Sequence, residues 1–427
     1  MSEPLVIVGN GMAATRLVEE LSARAPGRYA IAVVGEEPRL AYNRVLLSSV
    51  LADEVDDGEV ELKSADWWRA RGVTLLYGHG VTAIDPAIRR LKLANGATLP
   101  FAKLVLATGS RPIRLNVPGM NLAGVLTFRD LADVDSIRQA VAGRRKAVVI
   151  GGGLLGLEAA YGLAKAGAEV SVIHLMDRLM ERQLDPRAAG LLKSAVEATG
   201  VAVHLNAETV AIRGERRAEA VALKDGREIP ADLVVVAAGI RPNGELGQSA
   251  GIDINRGIVV DDHLRTSRTD IYAIGECAEH RGVCYGLVEP AYEQARVLAA
   301  HLAGKSASYE GSVLATNLKV SGVNVFSAGD FMGAPGTEQI VLSDAGLATY
   351  KKLVIAEGRL TGAVLFGDTA DGLWYLELIR SRAPIGAIRD DIMFGRAFAE
   401  RAAEPILLSE PTLTSADAAM PLAAAAE

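Results

Sequence analysis

The chain has 427 residues, half of them hydrophobic and 44 of them glycine, enough for two or three α/β domains rich in turns. Its 45 lysines and arginines against 52 aspartates and glutamates give a net charge of −7, which argues against a general nucleic-acid binder. That charge would suit a partner with a basic docking face, although a charge of this size more often serves solubility.

The first 30 residues run straight into a strand, with no charged start, apolar core and cleavage site, and no apolar run is long enough to span a bilayer. A cytoplasmic address without a membrane partner is therefore expected. The opening strand, residues 5–8, enters the pattern Gly9-x-Gly11-x-x-Ala14 and then a helix over 15–23. In such a turn the first glycine turns tightly and the second lets backbone approach a pyrophosphate, while the third small residue packs helix on strand. The helix N-terminus adds free N–H groups and a partial positive charge. A glycine turn in any βαβ unit looks similar, so the test is an acid about 20 residues on, placed to hold a ribose hydroxyl. Glu36, which follows a strand over 29–34 and lies 22 residues past Ala14, passes it.

A short strand in Lys103-Leu-Val-Leu-Ala-Thr-Gly109 ends in a small-residue turn, and Pro118-Gly119 has the character of a boundary. A second fingerprint follows strand 147–150 as Gly151-x-Gly153-x-x-Gly156, about 140 residues after the first. Two of them imply two dinucleotides with electrons passing between them. Here the second strand, 169–173, ends at His174, which is 18 residues past Gly156 and not an acid; Asp177 and Arg178 lie just beyond. An acid would repel a 2′-phosphate and His174 and Arg178 would not, so a preference between NADH and NADPH is unreadable. Arg241-Pro242-Asn243 marks a second boundary, and Thr269-Asp-Ile-Tyr-Ala-Ile-Gly-Glu276 is another short strand with a small-residue turn.

Cys277 and Cys284 are the only cysteines, and six residues separate them. That spacing supplies no close dithiol and no metal or iron–sulfur ligand set, so both are expected to be structural. The six histidines read as surface or packing residues, apart from His174 at the ribose position.

With these motifs the chain resembles the two-dinucleotide flavoprotein oxidoreductases, the superfamily of ferredoxin and disulfide reductases. In that family the Ala-Thr-Gly segment closes the excursion around the first domain. A later Gly-Asp motif sets a carboxylate on the flavin ribityl chain; here Glu276 keeps the charge on a longer arm. The resemblance puts FAD on Gly9, Gly11, Met12, Ala13, Ala14 and Glu36, with Val81, Ala107, Thr108 and Gly109 on the same side. It puts NAD(P)H on Gly151, Gly153, Leu154, Leu155 and Gly156, with His174, Arg178 and Gly239. No thiol relay is available, so the flavin is the reactive group, and the protein supplies position and electrostatics.

Glu158, in the first turn of the second helix, has a bland reading as a helix-dipole contact worth ~0.3–1 kcal/mol. In the family a glutamate here reaches toward the nicotinamide and pairs with a lysine of a Pro-Pro-Leu-Ser-Lys segment. The matching segment is Arg44-Val-Leu-Leu-Ser-Ser49, which puts Ser49 at the lysine position, on the FAD side. Either Glu158 takes another cation, Arg44 or Lys319, or its role differs; Glu158 and Arg44 are the catalytic candidates.

The segments YNRVLLSSVLADE, VSVIHLMDRLMERQLD, IYAIGECAEHRGVCYGLVEPAYEQA, LKVSGVNVFSAGD and GAVLFGDTADGLWYLELIRS carry a narrower resemblance, from about residue 4 to about 395. Together they are similar to the large subunit of NAD(P)H-dependent nitrite reductases. There a histidine follows the second βαβ strand and glutamate replaces aspartate in the flavin motif. The same resemblance carries Arg129, Val288 and Glu293 to the FAD side. That subunit continues into a cysteine-bearing iron–sulfur module and sirohaem-binding domains, whereas residues 402–427 here are rich in Ala, Pro, Ser and Thr and read as disordered. The expectation is the NAD(P)H-to-FAD half, working with separate proteins.

The expected fold is α/β, with two Rossmann-like domains, the NAD(P) domain inserted into a discontinuous FAD domain, and a small α+β C-terminal domain. The ranges are 1–118 and 243–310 for FAD, 119–242 for NAD(P), 311–401 for the C-terminal domain and 402–427 for the tail. In the C-terminal domain, strand-like runs cover 318–326, 339–342 and 362–366. A hairpin at Glu357-Gly358-Arg359 and a helix over 373–381 complete it. Dimer contacts or flavin coverage are usual for such a domain, so a homodimer stays open. Three functions remain: a reductase feeding an assimilatory nitrite or nitrate reductase component, a ferredoxin or rubredoxin reductase of a monooxygenase, or an NAD(P)H-responsive sensor or scaffold. The first two need a separate acceptor protein, a reductase subunit or a ferredoxin-type iron–sulfur protein.

Overall fold

The computed structural model describes residues 2–141, 145–320 and 322–403, with only the backbone of 318–320 and 401–403. The tail from residue 404 lies outside the described residues. Five parallel strands form the first sheet, in the order Ile271–Ala273, Lys103–Leu106, Glu3–Val8, Tyr29–Gly35, Thr74–Tyr77. Leu5, Ile7, Leu104 and Leu106 have no exposed surface, as expected of parallel strands covered on both faces. The second sheet is built alike, in the order Ala202–His204, Glu169–Ile173, Lys146–Ile150, Leu233–Val236, Val125–Thr127. Chain order makes the second unit an insertion, because Ile271–Ala273 rejoins the first sheet after the second is complete.

The duplication extends beyond the sheets. Each unit carries a three-stranded antiparallel meander: Val81–Asp85, Arg90–Leu93 and Thr98–Pro100 in one, Thr209–Arg213, Ala220–Leu223 and Glu228–Pro230 in the other. The two passages between units pair with each other, Ser110–Pro112 antiparallel to Ile240–Pro242. Asn243 closes this ribbon, donating from Nδ2 to the Thr108 carbonyl at 2.9 Å and accepting from the Thr108 hydroxyl at its own carbonyl at 2.8 Å.

The C-terminal sheet is antiparallel, ordered Ala315–Val320, Val323–Gly329, Arg359–Phe366, Thr349–Ala356, Glu338–Asp344, with the helix Gly372–Ser381 on one face. The run expected as one strand over 318–326 is two strands of a hairpin, because Gly322 turns the chain at φ +84°. The hairpin at Glu357-Gly358 is present between Thr349–Ala356 and Arg359–Phe366. The helix expected over 15–23 spans Met12–Arg24 and so starts directly at Gly11.

One apolar core serves both the inserted unit and the C-terminal sheet. Val325, Tyr350, Val364 and Phe366 join Val149, Val172, Leu192 and Val235 in it, and Leu47, Val50 and Leu51 of the short helix Leu47–Leu51 enter from the first unit. Within this junction Asp185 is only 4% exposed. Its Oδ1 caps the helix Pro186–Ala198 by accepting from the Ala188 N–H at 2.9 Å. Its Oδ2 accepts from the Tyr350 hydroxyl at 2.7 Å and faces the buried Lys352 ammonium at 3.5 Å. Tyr350→Phe removes one donor from a buried carboxylate, so a loss of about 1–2 kcal/mol in urea unfolding is expected. An unchanged midpoint would show that the junction does not depend on this bond.

Candidate functional site

Both parallel sheets end in a glycine turn at the carboxyl ends of their strands, where open α/β sheets place ligands. Gly9 (φ +114°) lies so close to Ala107 that an added Cβ would sit 2.0 Å from its carbonyl oxygen, and at Gly151 (φ +128°) it would sit 2.3 Å from the Ala237 oxygen. A Cβ on Gly156 would meet the Gly151 oxygen at 2.0 Å, so the helix Leu154–Lys165 packs directly on its own turn. The second glycines differ: around an added Cβ at Gly11 or Gly153 nothing lies within 4 Å. The helices Met12–Arg24 and Leu154–Lys165 start there without a side-chain cap, so no side chain accepts from their first N–H groups. Asn10 Oδ1, in the first turn, is buried without a protein partner. Two uncapped helix starts behind open glycines fit two pyrophosphates.

Residues expected on the FAD side gather around the first turn. Met12, Ala13 and Ala14 form the first turn of its helix, and Ala107, Thr108 and Gly109 follow the strand Lys103–Leu106. Glu36 is exposed just past Tyr29–Gly35, its side chain near Gly80, and Val81 opens the adjoining meander. Glu276 reaches across to Ser110, whose hydroxyl donates to it at 2.6 Å, and forms an ion pair with Arg129. The longer glutamate arm therefore ties residues near 276 to the segment ahead of the helix Leu131–Val141. Arg44 joins this network by donating to the Arg129 carbonyl at 3.0 Å. Val288 opens the helix Val288–Leu302. Glu293 sits apart, bound to Ser312 and at 3.1 Å to Arg380 of the C-terminal helix.

Arg44 does not supply the cation for Glu158. Its guanidinium pairs with Glu37 and lies 5.0 Å from the Tyr42 ring centroid, while the Tyr42 hydroxyl donates to Glu37 at 2.7 Å. Lys319, the other candidate, has a side chain outside the described residues. Glu158 itself is half-buried on the helix that packs against Leu47–Leu51, with the Ser48 hydroxyl in hydrogen-bonding reach. Ser48 rather than Ser49 faces it, a difference of one helical position. Burial pushes the Glu158 carboxyl up to about 7, against a smaller downward pull from Ser48.

On the NAD(P) side Leu154 and Leu155 open the second helix, and Gly239 precedes the ribbon strand Ile240–Pro242. His174 does not offer a free nitrogen to a ribose. Its Nδ1 accepts from the Gly152 N–H at 3.0 Å, and its Nε2 faces Glu181 Oε2 at 3.1 Å. The ring also lies beneath Gly152, where a Cβ would meet its Cγ at 2.7 Å. This explains the middle glycine of Gly151-Gly152-Gly153, to which the fingerprint assigns no role. Arg178 is held by Asp177 at 2.9 Å and by the Leu184 carbonyl at 3.4 Å.

The thiols are held in their protonated form. Burial pushes Cys277 up while its thiol donates to the Ile274 and Leu106 carbonyls at 3.3 and 3.4 Å. Burial and the neighbouring Glu279 push Cys284 to about 11.

The profile of the pyridine nucleotide-disulphide oxidoreductases matches residues 3–307, and that of the rubredoxin NAD+ reductase C-terminal domain matches 315–383. The chain belongs to the pyridine nucleotide-disulphide oxidoreductase family. It is 47% identical over 382 residues to the NAD(P)H nitrite reductase of Bacillus subtilis (strain 168), covering 89% of this chain and 48% of that protein. It is 42% identical over 390 residues to the assimilatory nitrate reductase electron transfer subunit of the same organism, covering 91% and 51%. The chain thus spans about half the length of these two curated relatives. Among solved structures, the covalent putidaredoxin reductase–putidaredoxin complex superposes with a TM-score of 0.81 at 28% identity, covering 90% of this chain and 94% of that one. No helix among the described residues is long and apolar enough to cross a membrane.

Proposed function

We propose that this chain takes electrons from NAD(P)H and delivers them, through FAD, to a separate redox protein, most simply a component of an assimilatory nitrite or nitrate reductase. The carrying observation is the pair of uncapped helix starts, each behind a glycine whose Cβ position is open. In this reading residues 1–118 and 243–310 hold FAD, 119–242 hold NAD(P)H, and 311–401 form the C-terminal domain. FAD, when bound, supplies the hydride acceptor and releases electrons one at a time. Gly9, Gly11 and Glu36 hold its adenosine half, while the Glu276–Arg129–Arg44 network braces its ribityl side. Gly151, Gly153 and Gly156 hold the second dinucleotide, and Glu158 faces the nicotinamide. The acceptor assignment rests on the 47% and 42% identities to nitrite and nitrate reductase proteins. A cytoplasmic address, where NAD(P)H is available, belongs to the same proposal.

The likeness to a putidaredoxin reductase bound to its putidaredoxin favours a second reading, a reductase for a ferredoxin-type iron–sulfur protein. Anaerobic stopped-flow reduction of the yellow protein by NADH and by NADPH tests the shared half-reaction, and rapid bleaching is expected. Bleaching followed by fast reoxidation with a nitrite or nitrate reductase component, and slow reoxidation with ferredoxins, would support the first reading over the second. No bleaching by either coenzyme with FAD bound would overturn both and favour a sensor.

A further inference from the structure

The sequence lacks the acid that usually ends the second strand of the NAD(P) unit, and the fold brings one there from elsewhere. Gly152, between the two turn glycines, uses both its backbone groups on the segment after that strand. Its N–H donates to His174 Nδ1 at 3.0 Å, and its carbonyl accepts from the Met180 N–H at 2.9 Å. Met180 is fixed in turn: its side chain has no exposed surface, φ is +50°, and its carbonyl accepts from the N–H groups of Gln183 and Leu184, each at 2.8 Å. Glu181 is the next residue. Because His174 Nδ1 accepts, Nε2 of the neutral ring carries the proton and donates to Glu181 Oε2 at 3.1 Å. The carboxylate is thus tied to the glycine turn twice, through the imidazole and through its neighbour's backbone.

We propose that Glu181 is the residue that reads the adenosine ribose of the nicotinamide dinucleotide, that His174 is its positioning residue, and that the pair makes NADH the preferred donor over NADPH. The imidazole extends the strand end and hands the acid's role to the loop. Glu181 keeps 23% of its side chain exposed, and its second oxygen, Oε1, is not taken up by His174. A carboxylate there accepts from ribose hydroxyls and repels a 2′-phosphate. The nearby cations do not reverse this. Arg178 is spent on Asp177 at 2.9 Å, and Arg182 is 86% exposed with its Nε 3.9 Å from Glu181 Oε1. The assignment rests on the second turn being the nicotinamide dinucleotide site.

Calorimetric titration of the FAD-loaded protein with ADP-ribose and with 2′-phospho-ADP-ribose tests it without turnover. Wild type is expected to favour ADP-ribose, and Glu181→Gln to lower that preference about tenfold. His174→Asn, which keeps an acceptor for the Gly152 N–H and loses Nε2, is expected to lower it similarly. The double variant is expected to lose no more than either single, as for residues that act as one unit. A merely structural His174 would weaken both fragments equally and add to the Glu181→Gln effect. An unchanged preference in soluble, FAD-retaining Glu181→Gln would overturn the assignment, as would a wild type that prefers the phosphorylated fragment. A wild type that binds neither fragment would instead refute the underlying placement of the nicotinamide dinucleotide.

Discussion

Gly11→Val and Gly153→Val are expected to fold like the wild type and to lose one dinucleotide each. The first should purify colourless; the second should be yellow and should resist reduction by NADH and NADPH. An added Cβ at either site has nothing within 4 Å, and the backbone at φ −117° and −81° suits any residue, so melting temperatures of the ligand-free proteins should barely move. The valine methyls would instead occupy the space through which a pyrophosphate reaches the free N–H groups. A loss of at least about a hundredfold in affinity, about 3 kcal/mol, is expected at the altered site alone. Gly9→Val and Gly151→Val should behave differently. Their Cβ atoms would lie 2.0 and 2.3 Å from backbone carbonyl oxygens at φ +114° and +128°, so these variants should fail to fold with or without ligand. Flavin absorbance, calorimetric titration with NADH and thermal melting separate the outcomes. Wild-type reduction of Gly153→Val by NADH would remove the second turn from nicotinamide binding.

What the sequence reveals of this fold follows from how local each cause is. The parallel strands were legible because burial on both faces demands unbroken apolar runs such as Leu5–Val8 and Leu233–Val236, and the turns because only glycine tolerates a carbonyl 2 Å from its Cβ position. The insertion was legible because motif order mirrors strand order. The C-terminal hairpin was not: Gly322 sits between two apolar runs that read as one. Side-chain partners depend on packing, which spacing rules do not carry. Glu37 rather than Glu158 holds Arg44, and Ser48 rather than Ser49 faces Glu158, because a short helix turns neighbouring residues to different sides. Glu181 is seven residues beyond His174 in an irregular loop, where no periodicity signals that the two meet. The triple glycine was the one available clue, since its middle member needs a reason that the fingerprint does not give.

Glu158→Gln is expected to remove a pH dependence of stability that the wild type shows between about 4.5 and 7. Burial holds the folded-state carboxyl at about 7, whereas its ordinary value is 4.5. The folded protein therefore binds this proton more tightly than the unfolded chain does. The stability linked to that proton is fully present below pH 4.5 and is lost as pH rises through 7, a total of roughly 3 kcal/mol. Glutamine keeps the shape and an acceptor for the Ser48 hydroxyl without a charge to desolvate. The two proteins should unfold at similar urea concentrations near pH 4.5, and the variant should be the more stable at pH 8. Equal stabilities at pH 8 would mean that a cation holds Glu158 ionised, and Lys319→Ala should then restore the dependence. The same ionisation should shape the chemistry. If Glu158 faces the nicotinamide as proposed, its change of charge near neutrality should give flavin reduction an inflection near pH 7, and Glu158→Gln should flatten it. An inflection that survives in the variant would assign it to another group and leave Glu158 a packing residue at the contact between its helix and Leu47–Leu51.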